Sequence, residues 1–142
     1  DENNIRVLAA TYFFLEFNGD KLEPKIIGNG IASNGDDMYS KEMKYLNEEV
    51  GFWESDVGYC EIYIYFGIIG LLGLFFWCYG VYDIKIEESY KYIKYYFLFL
   101  MVSMICGGYW FENIYVVNIL TYTLVKSNEN LMNKYLCVKL QS

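Results

Sequence analysis

Apolar residues gather into three long blocks after residue 58, whereas before it they are interrupted by polar and charged positions. The first block, Tyr59 to Tyr82, has Glu61 as its one charge, near its start. As a helix it would be about 36 Å long against a hydrocarbon core of roughly 30 Å, so it predicts a transmembrane helix. Tyr59, Tyr63 and Tyr65 stand near one end and Trp77, Tyr79 and Tyr82 near the other, where aromatic rings settle at the two bilayer faces. The second and third blocks, over about 92–109 and 110–126, meet at Gly107-Gly108-Tyr109-Trp110-Phe111-Glu112-Asn113. Each is short for a span, and Asn118, Thr121 and Thr123 lie in the third. Two crossings are expected, with a re-entrant hairpin as the alternative. Backbone groups in lipid must bond within their own segment, which makes helices the natural form despite the many tyrosines and β-branched residues.

The part before residue 59 predicts helices of another kind. Asn4 to Phe17 is apolar nearly all round, with Arg6 and Glu16 as its charges, and reads as a helix on or against the membrane surface. Asn18 to Asp37 reads as turns, and Ser40 as the N-cap of a short polar helix, Lys41 to Val50. The expected fold is all-α. It is a polytopic membrane arrangement of three transmembrane helices with an outward helical loop region at the N-terminal side.

Charge sharpens that division. Residues 1–59 carry twelve acidic and five basic side chains, and residues 60–142 carry six of each, so the net charge of −7 sits in the first part. Lys85, Lys91 and Lys94 fall between the first two blocks, and Lys126, Lys134 and Lys139 follow the third. Positive loops stay in the cytoplasm, so residues 1–58 face outward and 127–142 form a cytoplasmic tail. An acidic chain with one arginine is unsuited to nucleic acid. The composition is 55% hydrophobic and 20% aromatic, with no histidine. Four scattered cysteines without a C-x-x-C pair read as apolar fillers, and no metal or cofactor is expected. The start Asp1-Glu2-Asn3-Asn4 reads as the interior of a longer protein, whose upstream helices would be partners for this part. Gly67, Gly70 and Gly73 recur every three residues in the first block, a pattern that lets a neighbouring helix approach closely, although membrane helices also tolerate glycine. Without those helices the chain is expected to be unstable in water and inactive.

In order along the chain stand RVLAATYFFLEF, KIIGNG, ESDVGY and then FGIIGLLG. That order resembles the carboxyl-terminal region of O-antigen polymerases, Wzy-type membrane proteins of bacterial surface polysaccharide synthesis, over about residues 5–125. No single piece is specific; their order and topology carry the likeness. The resemblance implies a multi-pass glycosyltransferase of the bacterial cytoplasmic membrane. It would join undecaprenyl-pyrophosphate-linked oligosaccharide repeats into O-antigen, capsule or exopolysaccharide at the outer face, with membrane lipid as its surroundings. Arginines of outward loops are thought to hold the pyrophosphate in that family; Arg6 alone stands here, so the rest of such a site would come from upstream. An O-antigen ligase, or a transporter or flippase component without catalysis, are the alternatives.

The candidate catalytic pair is Glu54 and Asp56. With Ser55 as N-cap, Asp56 would open the first membrane helix and orient its loop, leaving Glu54, beside Trp53, as the better proton acceptor. Candidate substrate-binding residues are Arg6, Asn29, Gly30 and Trp53. Arg6 offers a planar fork of donors or merely snorkels from an apolar helix. Gly28-Asn29-Gly30 is either an anion-binding nest or, more simply, a tight turn. Trp53 and Tyr39 would stack on sugar rings or anchor at the interface.

Overall fold

The computed structural model describes residues 2–33, 35–107 and 114–141, and every regular element among them is a helix. Helix α1 (Glu2–Thr11) widens into a π-helical turn, Tyr12–Glu16, and is followed by α2 (Leu22–Ile27). Helix α3 (Met38–Tyr45) also ends in a π turn, Leu46–Val50. A 3-10 turn, Glu54–Asp56, leads into α4 (Gly58–Asp83); a second, Glu88–Tyr90, leads into α5 (Lys91–Ser103); α6 is Ile114–Gln141. The fold is therefore all-α.

Local chemistry moves three expected boundaries. The Asn18–Asp37 stretch, read as turns, contains α2, with Pro24 in its first turn, where a missing N–H is tolerated. The cap of α3 is Asp37, whose carboxylate accepts from Ser40 N–H at 2.9 Å. Ser40 itself is buried, and its hydroxyl accepts from Ser33 N–H at 3.1 Å. Ser55 caps nothing: α4 begins at Gly58, after the extended Val57, so Asp56 precedes the helix instead of opening it.

The Asp37 cap has a pH signature. Hydrogen bonds from Ser40, first its side chain and then its backbone, hold the Asp37 carboxyl below the ordinary range. Because the folded value lies below the unfolded one of about 3.9, the cap stabilises above that pH and fades as pH falls through the folded value. Asp37→Ala is expected to lower the unfolding temperature at pH 7. Asp37→Asn, which keeps an acceptor, should instead flatten the acid limb of stability between pH 5 and 3, as followed by circular dichroism in detergent.

Helix α4 is bent at Gly67, where φ is 63° and ψ is −160°. Such a bend frees carbonyls of the preceding turn, and in an apolar setting they need other donors. Asn29 N–H donates to Ile64 O at 2.7 Å and Gly30 N–H to Tyr65 O at 3.1 Å. The two glycine motifs of the sequence thus meet in space. A side chain on Gly67 would overlap the Ile26 carbonyl, and one on Gly28, at φ 84°, would overlap the Tyr65 carbonyl. The close approach expected of the glycine repeat is made at Gly67, by a strap of this same chain.

Gly73 and Gly80 face open space, with nothing within 4 Å of an added Cβ. Both are helical, so Gly73→Ala and Gly80→Ala are expected to leave folding intact or stabilise it by up to about 1 kcal/mol each. Detergent unfolding curves check this.

The bend also changes what the first apolar block does. Helices α4 and α5 run antiparallel: Gly58 N–H donates to Met104 O at 2.8 Å and Tyr59 OH to Met101 O at 2.7 Å, while Lys94 donates to Tyr82 O at the other end. Lys94 and Met104 are about 15 Å apart along α5, whereas a straight α4 from Gly58 to Tyr82 would measure about 36 Å; the bend reconciles the two. The half before Gly67 is buried against α1 and α3, with Cys60, Tyr63 and Ile64 packed on Ala9, Phe13, Met43 and Leu46. Tyr63 and Tyr65 therefore belong to this packing and not to an exposed aromatic belt. After Gly67 the apolar residues turn outward, with Phe76 73% and Tyr79 69% exposed.

Among the described residues one helix, α4, is long and apolar enough to cross a membrane, and only 22% of its most apolar stretch is buried. Helix α5 is about 20 Å long, and the polar residues from Lys126 onward leave α6 with a short apolar stretch. By length and composition one helix among the described residues could cross a membrane, where three were expected. Apart from Gly107, the turn expected at 107–113 lies outside the described residues. Helix α6 continues without a break through Lys126, so the expected tail at 127–142 extends that helix to Gln141. The second core, where Ile93, Phe97 and Leu100 of α5 meet Val81, Val117 and Leu124, joins these three helices.

Candidate functional site

The residues singled out in the sequence form two groups of contacts. One is organised by Tyr65, on the last turn of α4 before the bend. Its hydroxyl donates to Glu54 Oε1 at 3.1 Å, while its carbonyl receives Gly30 N–H. The Asn47 amide, with its nitrogen turned inward, reaches Phe52 O at 2.6 Å and Glu54 Oε2 at 3.3 Å. Each carboxylate oxygen of Glu54 thus meets one donor, and a carboxylate offers about four acceptor positions. Glu54 is half-buried, so its remaining lone pairs can take a proton from a hydroxyl that approaches from solvent.

The Gly28-Asn29-Gly30 strap forms the back of this place. Gly28 and Gly30 have φ of 84° and 79°, the turn geometry that glycine supplies. The N–H groups of Asn29 and Gly30 are engaged by Ile64 and Tyr65, so they do not form an anion-binding nest in this conformation. The Asn29 side chain donates to Asn18 Oδ1 at 3.0 Å and to Ile64 O at 3.4 Å. Asn18 is 6% exposed and acts as an internal post for the strap. Tyr39 OH donates to Gly30 O at 2.9 Å. Burial first, then the charges of Glu54 and Asp37, raise the Tyr39 pKa above that of a free phenol, which keeps Tyr39 a donor at neutral pH.

Trp53, 47% exposed, adjoins Glu54 and presents an aromatic surface. Asp56 follows on the same 3-10 turn; its N–H donates to Trp53 O at 3.2 Å, and its side chain makes no hydrogen bond or ion pair with another described residue. The second group belongs to Arg6. This arginine lies on α1 beside an apolar groove of about 460 Å³ lined by Phe14, Leu15, Val57 and Ile105. Arg6 is exposed and makes no ion pair with another described residue. Val57, which directly follows the Glu54–Asp56 turn, lines this groove together with Arg6, and α1 packs against that turn.

Asn18 and Asn47 were not legible as members of the site, because asparagine in polar turns is ordinary. Tyr65 is one of 16 tyrosines, and only the bend shows why it faces Glu54. Cys60 is buried, Cys78 half-buried and Cys106 exposed, all as free thiols; the Cys137 side chain lies outside the described ones. Among the described residues no group of Cys, Asp and Glu gathers to hold a metal ion. Comparisons of the chain with protein families, with characterised proteins and with solved structures found no match.

Proposed function

We propose that this chain is part of a membrane enzyme that lengthens lipid-linked oligosaccharide at the outer face of the bacterial cytoplasmic membrane. The observation that carries the reading is Glu54: a half-buried carboxylate held by Tyr65 at 3.1 Å, next to exposed Trp53, where the solvated helices meet the apolar one. In the reaction the acceptor sugar hydroxyl gives its proton to Glu54, its oxygen bonds the anomeric carbon of the donor glycan, and that carbon's bond to pyrophosphate breaks. The lipid pyrophosphate leaves with the electron pair. Trp53 stacks on the acceptor ring, and Tyr65 keeps the carboxylate aimed.

Arg6 has the chemistry for the leaving group, since a guanidinium beside an apolar groove suits a phosphate attached to an isoprenoid chain. One arginine does not balance a pyrophosphate, and the upstream helices implied by the resemblance would supply the other cations. The exposed apolar surfaces of α4 after Gly67, α5 and the first part of α6 enter the bilayer together.

A transport role has one observation in its favour, because bent or interrupted membrane helices often line substrate and ion sites. Here, however, the Ile64 and Tyr65 carbonyls at the bend accept from Asn29 and Gly30, which favours a structural purpose for the break. The deciding experiment is glycan chain length in cells that carry the complete protein, with variants matched for membrane level. Glu54→Gln should leave single repeats on lipid at the outer face. Repeats held at the inner face would indicate a flippase, and unaltered long glycan on deleting the gene would end the polymerase reading.

A further inference from the structure

We propose that a cavity at the opposite end of α4 binds the phosphate-bearing head of an anionic membrane phospholipid. The cavity, about 700 Å³, lies between the last turn of α4, the Ile84–Ile86 connection, the first half of α5 and the middle of α6. That volume is within the usual range for small-ligand sites, roughly 300–1,000 Å³. It is unrelated to the Glu54 place and does not depend on the glycan reading.

Its chemistry is divided as a phospholipid is. Lys85, Lys91 and Lys94 line it, with Asp83 as the carboxylate in the lining. Lys91 is matched by Glu88 at 2.6 Å. Lys94 donates to the Tyr82 carbonyl and lies 5.5 Å from the centroid of the Tyr82 ring; neither contact cancels its charge. Lys85 makes no ion pair with another described residue. The lining is thus cationic after Asp83 is counted, even though the carbonyl end of α4 points there. One turn beyond Lys94 on α5, Leu98 is 61% exposed, and Met132 of α6 is 52% exposed, so the apolar wall of the lining opens outward instead of closing around a small soluble ion. A head group among the lysines can therefore send its acyl chains along that wall into the bilayer. Basic pockets between membrane helices favour anionic head groups for this reason, each lysine near the surface contributing about 1 kcal/mol, or roughly fivefold in affinity.

The test uses the complete protein in detergent, titrated with phosphatidylglycerol, phosphatidylcholine, glycerol phosphate or inorganic phosphate, with native mass spectrometry and thermal unfolding as readouts. Phosphatidylglycerol should be retained and should raise the unfolding temperature, while phosphatidylcholine and the two soluble phosphates should not. Lys85→Gln should weaken that retention about fivefold, Lys85→Arg should restore it, and Asn128→Asp, which adds a carboxylate to the lining, should also weaken it. Equal retention of phosphatidylcholine overturns the proposal. So does stabilisation by soluble phosphate alone, or unchanged lipid retention in folded Lys85→Gln and Asn128→Asp variants.

Discussion

Replacing Gly67 with alanine is expected to prevent stable folding of the helical region before α4. Two effects act together at this position. The backbone at φ 63° and ψ −160° belongs to a region that only glycine visits readily, and strain of this kind costs about 1–3 kcal/mol. An added Cβ would also overlap the Ile26 carbonyl and lie 2.7 Å from Gly28 N. Backbone cannot swing away as a flexible side chain can, so the strap must lift from the bend. Lifting it strips the Asn29 and Gly30 donors from Ile64 and Tyr65, and each carbonyl left unsatisfied in an apolar setting costs roughly 1–3 kcal/mol more. The total, on the order of 3–9 kcal/mol, is a large share of the ~5–15 kcal/mol by which domains are stable. Gly28→Ala should behave alike from the other side of the contact. Unfolding temperature and resistance to protease in detergent measure both. Wild-type behaviour of Gly67→Ala would mean that α4 is straight and the strap undocked.

Glu54→Gln is expected to abolish long glycan while leaving the protein in the membrane at its normal level. Glutamine keeps the length and shape of glutamate, and its carbonyl can still accept from Tyr65, so the local fold survives while the base is lost. A positioned general base contributes about 10²–10⁴-fold in rate, enough to collapse a chain-length distribution to single repeats. Tyr65→Phe should cost less, roughly tenfold, since it removes one hydrogen bond that aims the carboxylate and not the proton acceptor itself. In a reconstituted assay that loss should fall on kcat with acceptor KM nearly unchanged. Asp56→Asn is expected to have little effect. If Asp56→Asn stops polymerisation and Glu54→Gln does not, the base is Asp56.

Much of the architecture is written locally. The long apolar block beginning at Tyr59 is a helix, as its length and composition predict, and Asn4–Phe17 is helical as its apolar composition predicts. The cap of α3 misleads because Asp37 and Ser40 are both good capping residues; burial of Ser40 against Ser33 decides between them. Asp56 misleads in the same way, since the helix start depends on Gly58 pairing with Met104, a partner far along the chain. Gly28-Asn29-Gly30 looks equally suited to bind an anion or to turn, and its N–H groups are settled by carbonyls that a straight α4 would not release.

From the order of residues alone follow the all-helical class, the division between an acidic solvated part and an apolar part, the identity of α4 as the membrane-length helix, and the importance of the glycines. Those features depend on composition and near neighbours, so they survive without knowledge of the fold. The bend of α4, the docking of the strap and the choice of Tyr65 as the partner of Glu54 were decided only by tertiary structure. Each is a contact between residues distant in sequence, made where a buried carbonyl or carboxylate needs a donor, and no local pattern records which donor will be brought to it.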